Sequence, residues 1–289
     1  MRGAAERGVA AGIRLGASAL RCGVLLAAVL LLAGCASAST GGERVDRAPG
    51  VDGAAGSPRV SDSANDPVTG SGHLTSRQLS LSGVRTLLVG AGFVVRVAIG
   101  EPEAATIRMD DNVADLVEAE VSGDQLRLGL KPGASVRDAT LSAEISVLHL
   151  DRLTASGASQ VTLAAELAGD ALELDASGAS QITGPVRVGR LLAAGSGAST
   201  LALSGQAGYL DLRGAGTSAL RLPELAVRDL EVVLSGASCA AVAVSDTLAA
   251  SASGASMLYY QGGPRITRQQ ASGASSIAAG APPGGRCSP

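Results

Sequence analysis

The side chains able to do chemistry are few, and most of them recur with a period. Glu173, Asp175, Arg187, Arg190, Asp211 and Arg213 fall near one another in a stretch whose pattern repeats at regular intervals. Carboxylates and guanidiniums aligned in this way would suit an enzyme acting on polysaccharide. A solvated face with cross-strand ion pairs gives the same pattern. Stacked repeats would bring Asp175, Asp211 and Arg213 onto one face. Nucleophilic catalysis needs a base and an oxyanion site beside its serine. Only two histidines are present, His73 and His149, and Lys131 is the only lysine. His149 alternates with Leu148 and Leu150, which predicts a solvent-facing strand position. Gly90-Ala-Gly92 and Gly195-Ser-Gly197 lack the full dinucleotide pattern and a following helix, so they read as turns. Asp110, Asp111 and Asp115 lack the ligand spacing of a calcium loop. They read as solvated or capping residues, with one helical turn over 113–117. No catalytic, cofactor-binding or metal-binding residue is assigned, and no cofactor is expected.

The serines have another explanation. Ser-Gly-Ala-Ser stands at Ser156–Ser159, Ser177–Ser180, Ser196–Ser199, Ser235–Ser238, Ser253–Ser256 and Ser272–Ser275, and Ala215-Gly216-Thr217-Ser218 fills the gap. The copies are almost evenly spaced along the chain. Apolar residues recur five and three places before most copies, as at Leu172 and Leu174 or Leu210 and Leu212. They recur again five and seven places after them, as at Val161 and Leu163 or Leu220 and Leu222. A spacing of two is strand periodicity. A unit of about 19 residues cannot bury its own apolar face, whereas stacked units can. Gly supplies the bend, Ala fits inside it, and Ser hydroxyls bond nearby backbone. Gly157, Gly178, Gly197, Gly216, Gly236, Gly254 and Gly273 should then form one column of corners. Serines stacked ~4.8 Å apart would allow hydroxyl ladders along the axis.

Upstream of the repeats, Leu79–Leu81, Leu87–Val89, Phe93–Ile99, Ile107–Met109 and Leu141–Leu150 carry strand signals. Glu118–Val121 and Leu126–Leu130 flank a Ser122-Gly-Asp-Gln125 hairpin. The composition fits thin apolar layers: 46% hydrophobic but 1% aromatic, with no Trp. The net charge of −3 becomes −6 without residues 1–34, which hold four Arg and one Glu. With no basic stripe, nucleic acid is not an expected partner.

Residues 1–34 pair an Arg-bearing start with a short apolar run, Val24–Ala33. They read as an export signal, the run being about half the ~20 residues that span a bilayer. Leu32-Ala-Gly-Cys35 resembles the lipobox of bacterial lipoproteins, which implies lipidation of Cys35 and attachment to a membrane. Residues 35–73, rich in Ser, Gly, Ala, Asp and Pro, read as a flexible tether. Residues 74–280 read as the folded body, with the repeats at 156–275, and 281–289 as a tail. Outside the cytoplasm Cys239 and Cys287 are able to pair. A buried Cys239 with a free Cys287 fits the sequence equally well.

Several stretches together resemble the bacterial family "putative auto-transporter adhesin, head GIN domain", a domain of unknown function. They are Gly70-Ser-Gly72, Gly92-Phe-Val-Val-Arg-Val97, Met109-Asp-Asp-Asn112, Val121-Ser-Gly-Asp-Gln-Leu-Arg-Leu128 and the Ser-Gly-Ala-Ser repeats. The resemblance spans about residues 78–275. It implies an all-β parallel β-helix, or β-solenoid, expected to be right-handed, with irregular β coils at its N-terminal end. It implies no catalytic residues. The expectation is a non-catalytic, exported lipoprotein of the cell envelope, structural or adhesive, binding glycan or protein through a repeated polar face. The alternative is a β-helix carbohydrate-active enzyme, which the shortage of aromatic platforms disfavours.

Overall fold

The computed structural model describes residues 66–285 and Cys287. The expected signal peptide, Cys35 and the first part of the tether lie outside the described residues. Alternating apolar residues give an all-β chain: a parallel β-solenoid of about 7 turns with roughly 19-residue coils. The N-terminal part holds β1 (Val68–Thr69), β2 (Leu74–Ser80), β3 (Thr86–Val89), β4 (Val94–Ile99), β5 (Ala104–Asp110), β6 (Val117–Ser122), β7 (Gln125–Leu130), β8 (Val136–Arg137) and β9 (Leu141–Val147). The repeats hold β10 (Arg152–Ala155), β11 (Gln160–Leu163), β12 (Leu167–Ala176), β13 (Gln181–Gly195), β14 (Thr200–Gly214), β15 (Ala219–Leu234), β16 (Cys239–Ala252), β17 (Met257–Gln261), β18 (Arg265–Ala271) and β19 (Ser276–Ala279).

Each coil has a strand segment running into the Ser-Gly-Ala-Ser corner and one running out. The first set forms sheet 1 and the second sheet 2. A short third side, at 167–169, 186–188 and 205–207, connects them. Strict register turns the alternation into columns. Leu172, Leu191, Leu210, Leu230 and Leu248 pair in succession and point inward from sheet 1. Val161, Ile182, Leu201, Leu220, Ala240 and Leu258 do so from sheet 2. Burying each large side chain stabilises by roughly 1.5–3 kcal/mol. Two glycines make room for this packing. A Cβ on Gly195 would lie 2.8 Å from the Leu220 side chain, and one on Gly214 would lie 2.8 Å from that of Leu234.

The corner glycines lie one above the next. From Gly178 to Gly273, each has φ between +68° and +77° and would place a Cβ 2.5–2.7 Å from the carbonyl oxygen of the glycine below. The rung bonds continue through the bend: Ala198 N–H donates to Gly178 O at 2.7 Å, and Thr217 N–H to Gly197 O at 2.8 Å. The divergent copy, Ala215-Gly-Thr-Ser218, is therefore as regular as the others. The column also extends downward past the repeats. Gly157 sits over Ala91, whose φ is +57°, so Gly90-Ala-Gly92-Phe93 is a further corner.

Among the described residues the corner serines form no hydroxyl ladder along the axis. The last Ser of each corner from Ser159 to Ser256 turns inward and is buried. Ser159, Ser180, Ser238, Ser256 and Ser275 each donate to the carbonyl of the first Ser of their own corner at 2.7–3.0 Å. The bond supplies that carbonyl with a donor at the bend. Ser199 and Ser218 are buried without a partner among the described residues.

The N-terminal coils are stacked out of sequence order. In sheet 1, β3 lies between β7 and β10; in sheet 2, β4 lies between β9 and β11, all parallel. Antiparallel β6 follows β7 through the expected hairpin, while β5 and then β2 extend sheet 2 beyond β9. The short helical turn is a 3-10 turn at Asp111–Val113, and the Asp110 side chain makes no capping bond to it. The strand over 141–150 ends at Val147, which leaves His149 exposed in a loop.

Residues 66–73, expected at the end of the tether, belong to the folded body. β1 pairs with β8, and the Gly70-Ser-Gly72 stretch clasps Asp110-Asp-Asn112. The buried Asp110 carboxylate accepts the Gly72 N–H at 2.7 Å and the Thr140 N–H at 2.6 Å. Asn112 accepts the Ser71 N–H at 3.0 Å and donates to Thr69 O at 2.8 Å. A Cβ on Gly70 would come within 2.6–2.8 Å of Asp110, Asp138 and Ala139. At the other end of the chain, Cys287 forms a disulfide with Cys239, their Cα atoms 5.5 Å apart. This ties the tail across sheet 2, where Cys239 and Ala241 are buried with Met257 and Tyr259 packed against them.

Candidate functional site

The outer face of sheet 1 carries most of the charged residues singled out from sequence. Register fixes them in columns one rung apart. One column reads Arg152, Glu173, Leu192, Asp211, Glu231, Ala249, Arg268. Its neighbours contain Thr154, Asp175, Ala194 and Arg213 on one side and Arg190, Tyr209 and Asp229 on the other. Glu173, Asp175, Arg190, Asp211 and Arg213 line one recess of ≈ 450 Å³, with Leu192 in its middle. A second recess of ≈ 640 Å³ shares Glu173, Arg190 and Leu192 with it and reaches Arg85, Asp151 and Asp170. His149 stands at this second recess, and His73 lies in the N-terminal clasp.

Arg187 is not part of the group. It lies three residues before Arg190 in the same strand, on the short third side, where it forks onto Glu166 at 2.7 and 3.0 Å. It borders a separate groove of ≈ 650 Å³ with Gln206, Arg228, Ser245 and Gln261. The reason is position along the coil: residue 187 belongs to the third side and residue 190 to sheet 1.

Most charges of sheet 1 are paired. Arg152 meets Glu173, Arg85 meets Asp151 at 3.1 Å, and Arg213 meets Asp211 at 3.1 Å. Arg268 reaches across a rung to Glu231 at 2.7 Å, and Thr247 and Arg228 both donate to Asp229. These last bonds, that of Thr247 first, hold the Asp229 carboxyl below its ordinary range. Tyr209 donates its hydroxyl to Glu231 at 3.1 Å. The Arg190 guanidinium lies 4.7 Å from the Tyr209 ring centre, within cation–π range. Asp175 differs from the rest. It has no ion pair or hydrogen bond among the described residues, and burial, with Glu173 beside it, raises its carboxyl above the usual carboxylate range.

Sequence reasoning places Asp175, Asp211 and Arg213 on one face but misses the part played by Tyr209. The available signal is its place one rung above Arg190, a single repeat further along the chain.

These features define a parallel β-solenoid with a charged outer sheet and antiparallel N-terminal strands. The chain belongs to the family described as "Putative auto-transporter adhesin, head GIN domain", which matches residues 85–264. Three solved structures share the fold. A putative adhesin from Bacteroides fragilis is 18% identical, covering 73% of this chain and 99% of its own, with a TM-score of 0.69. A putative adhesin from Parabacteroides distasonis is 19% identical, covering 74% and 100%, with a TM-score of 0.60. A protein from the same organism described as a putative lipid binding protein is 14% identical, covering 74% and 99%, with a TM-score of 0.61. No curated protein matches the chain. Membership of an adhesin family is consistent with an exported protein of the cell envelope.

Proposed function

We propose that the protein is a non-catalytic, lipid-anchored adhesive module of the cell envelope that binds a glycan or another envelope protein through its repeated polar face. The observation that carries this reading is the register of sheet 1. Outward side chains, most of them polar, stand in fixed columns at the ~4.8 Å rung spacing, so one surface presents charged and polar groups at regular intervals over many rungs. A rigid, periodic surface suits a polymeric or multivalent partner, because each added contact strengthens retention. Family membership supports display outside the cytoplasm. The lipobox-like Leu32-Ala-Gly-Cys35 supports the anchor. Two or three acyl chains, at ~0.8 kcal/mol per buried CH₂, would hold the chain on a membrane persistently. The mildly acidic body is unsuited to nucleic acid.

A second reading has one observation in its favour. A raised carboxyl at Asp175, with Glu173 and Asp211 in the same recess, has the chemistry of a general acid beside a second carboxylate. A β-helix enzyme acting on polysaccharide would use such a pair.

Binding of the chain to glycan arrays and to whole cells, with an assay for new reducing ends, separates the two. Saturable binding without turnover supports the adhesive module, and turnover replaces it with the enzyme. For the anchor, Cys35→Ala should abolish incorporation of labelled palmitate. Undiminished labelling would place the lipid elsewhere or remove it from the account.

A further inference from the structure

We propose that the joined recesses on sheet 1 bind an amine-bearing glycan, with Asp170 and Asp175 as acceptors and Arg190 as donor. The inference rests on the adhesive reading and names the ligand class and the residues of that surface.

The two recesses meet at Glu173, Arg190 and Leu192 and form one trough. It runs from the Arg85–Asp151 pair to the Asp211–Arg213 pair, crossing several rungs. Its charges divide sharply. Arg85, Arg152 and Arg213 are each neutralised by a carboxylate. Asp170, Asp175 and Arg190 have no ion pair among the described residues. Arg190 is held in place by the Tyr209 ring, which leaves its N–H groups available for a ligand. Two free carboxylates against one free guanidinium give the trough a residual negative charge. It therefore favours a neutral or cationic ligand and disfavours a polyanion.

The backbone argues for a sugar rather than a peptide. The peptide groups under the trough are already bonded rung to rung. An extended peptide laid on this face would find no backbone partners, which strand-addition recognition requires. A glycan needs only side-chain donors and acceptors. Vicinal hydroxyls or an ammonium group suit a carboxylate, while an acyl or ring oxygen suits the guanidinium. Leu192, half-buried in the middle, offers apolar contact to sugar C–H groups.

Asp175 adds an independent point. Its carboxylate is partly desolvated, next to Glu173, and without a hydrogen-bond donor among the described residues. Such a group lowers stability, and the attraction of Arg152 offsets only part of that cost. A residue kept at that cost in a recess fits binding better than scaffolding. The expected signature is that Asp175→Asn raises the melting temperature at neutral pH while it weakens the ligand. A purely structural residue would not separate the two.

The experiment uses the full chain in detergent, with partly deacetylated chito-oligosaccharides and polygalacturonate as probes and adhesion to whole cells measured in parallel. The expected result is retention of the chito-oligosaccharides and not of polygalacturonate. Binding should fall about tenfold, as expected for the loss of one charge-assisted bond, in Asp175→Asn and in Arg190→Gln. It should be unchanged in Arg187→Gln, on the other flank. If the wild type binds the amine-bearing sugar but both trough variants bind equally well, the site is overturned and the adhesive reading stands. Preferential retention of polygalacturonate overturns the ligand class. Adhesion to cells without binding of either sugar overturns the glycan assignment and again leaves the adhesive reading. Absence of both cell and glycan binding overturns both.

Discussion

Gly197 shows how little room a corner leaves. Its φ of +68° is costly for any residue with a side chain, and a Cβ there would stand 2.7 Å from Gly178 O. Backbone on the neighbouring rung cannot yield without breaking the Ala198-to-Gly178 bond. Gly197→Ala should therefore destabilise by roughly 2–4 kcal/mol, more than the left-handed conformation costs alone. Urea unfolding measures this, with Ala198→Ser as an exposed control. Asp175 gives a pH-dependent case of opposite sign. Its folded-state carboxyl is raised, so the folded protein holds that proton to higher pH than the unfolded chain. Stability therefore falls as pH rises from the ordinary carboxylate range through the raised value. Asp175→Asn removes this cost and should raise the melting temperature at pH ~7, with the gain vanishing below pH ~4. Solvent screening of a partly exposed group keeps the effect below about 1 kcal/mol. Equal melting curves at both pH values would show that the carboxylate is not destabilising.

Elements in a solenoid contact only their neighbours, so the terminal strands depend most on special fastenings. At the N-terminal end the fastening is the Asp110 clasp together with antiparallel β2, β5 and β6. At the C-terminal end, β18 and β19 each take their rung partners from the coil below, β16 and β17. The strap from β19 to the Cys239–Cys287 bond limits unzipping there. Its sequence separation of 48 residues gives a substantial loop-closure contribution. Cys287→Ser should lower stability by about 2–4 kcal/mol. Hydrogen exchange should show β17–β19 losing protection before β13–β15. Uniform loss along the axis would mean that the strap does not act locally.

The whole molecule should behave as a stack of interchangeable layers. Residues 196–214 form one coil, from one corner to the residue before the next. Deleting them brings Gly195 against Ala215 and preserves the strand alternation and the corner column. The shortened chain should fold with strand-rich circular dichroism and a lower melting temperature, having lost one inter-coil interface. Deleting only 200–209, half a coil, should abolish cooperative folding, because the next corner then falls on a straight segment. If the two deletions were equally tolerated, the coil would not be the folding unit.

The sequence by itself determined the solenoid. Seven near-identical corners, flanked by Leu at a spacing of two, leave stacking as the way to bury the apolar residues, and the rung length follows from the repeat. It also fixed the hairpin at Gly123-Asp124, which depends on local spacing, and the grouping of Asp175, Asp211 and Arg213, which follows from the repeat register. Only the tertiary structure decided the rest, since each remaining feature joins residues that are distant in sequence or settles a competition between bonds. The placement of β3 between β7 and β10, the clasp between Gly70-Ser-Gly72 and Asp110, and the choice between a free and a bonded Cys287 are of the first kind. The corner hydroxyls are of the second: at Ser159, Ser180, Ser238, Ser256 and Ser275 a backbone carbonyl takes the bond that a stacked hydroxyl would have shared. Arg187 parts from Arg190 because the short step between them carries the chain from one side of the coil to the next.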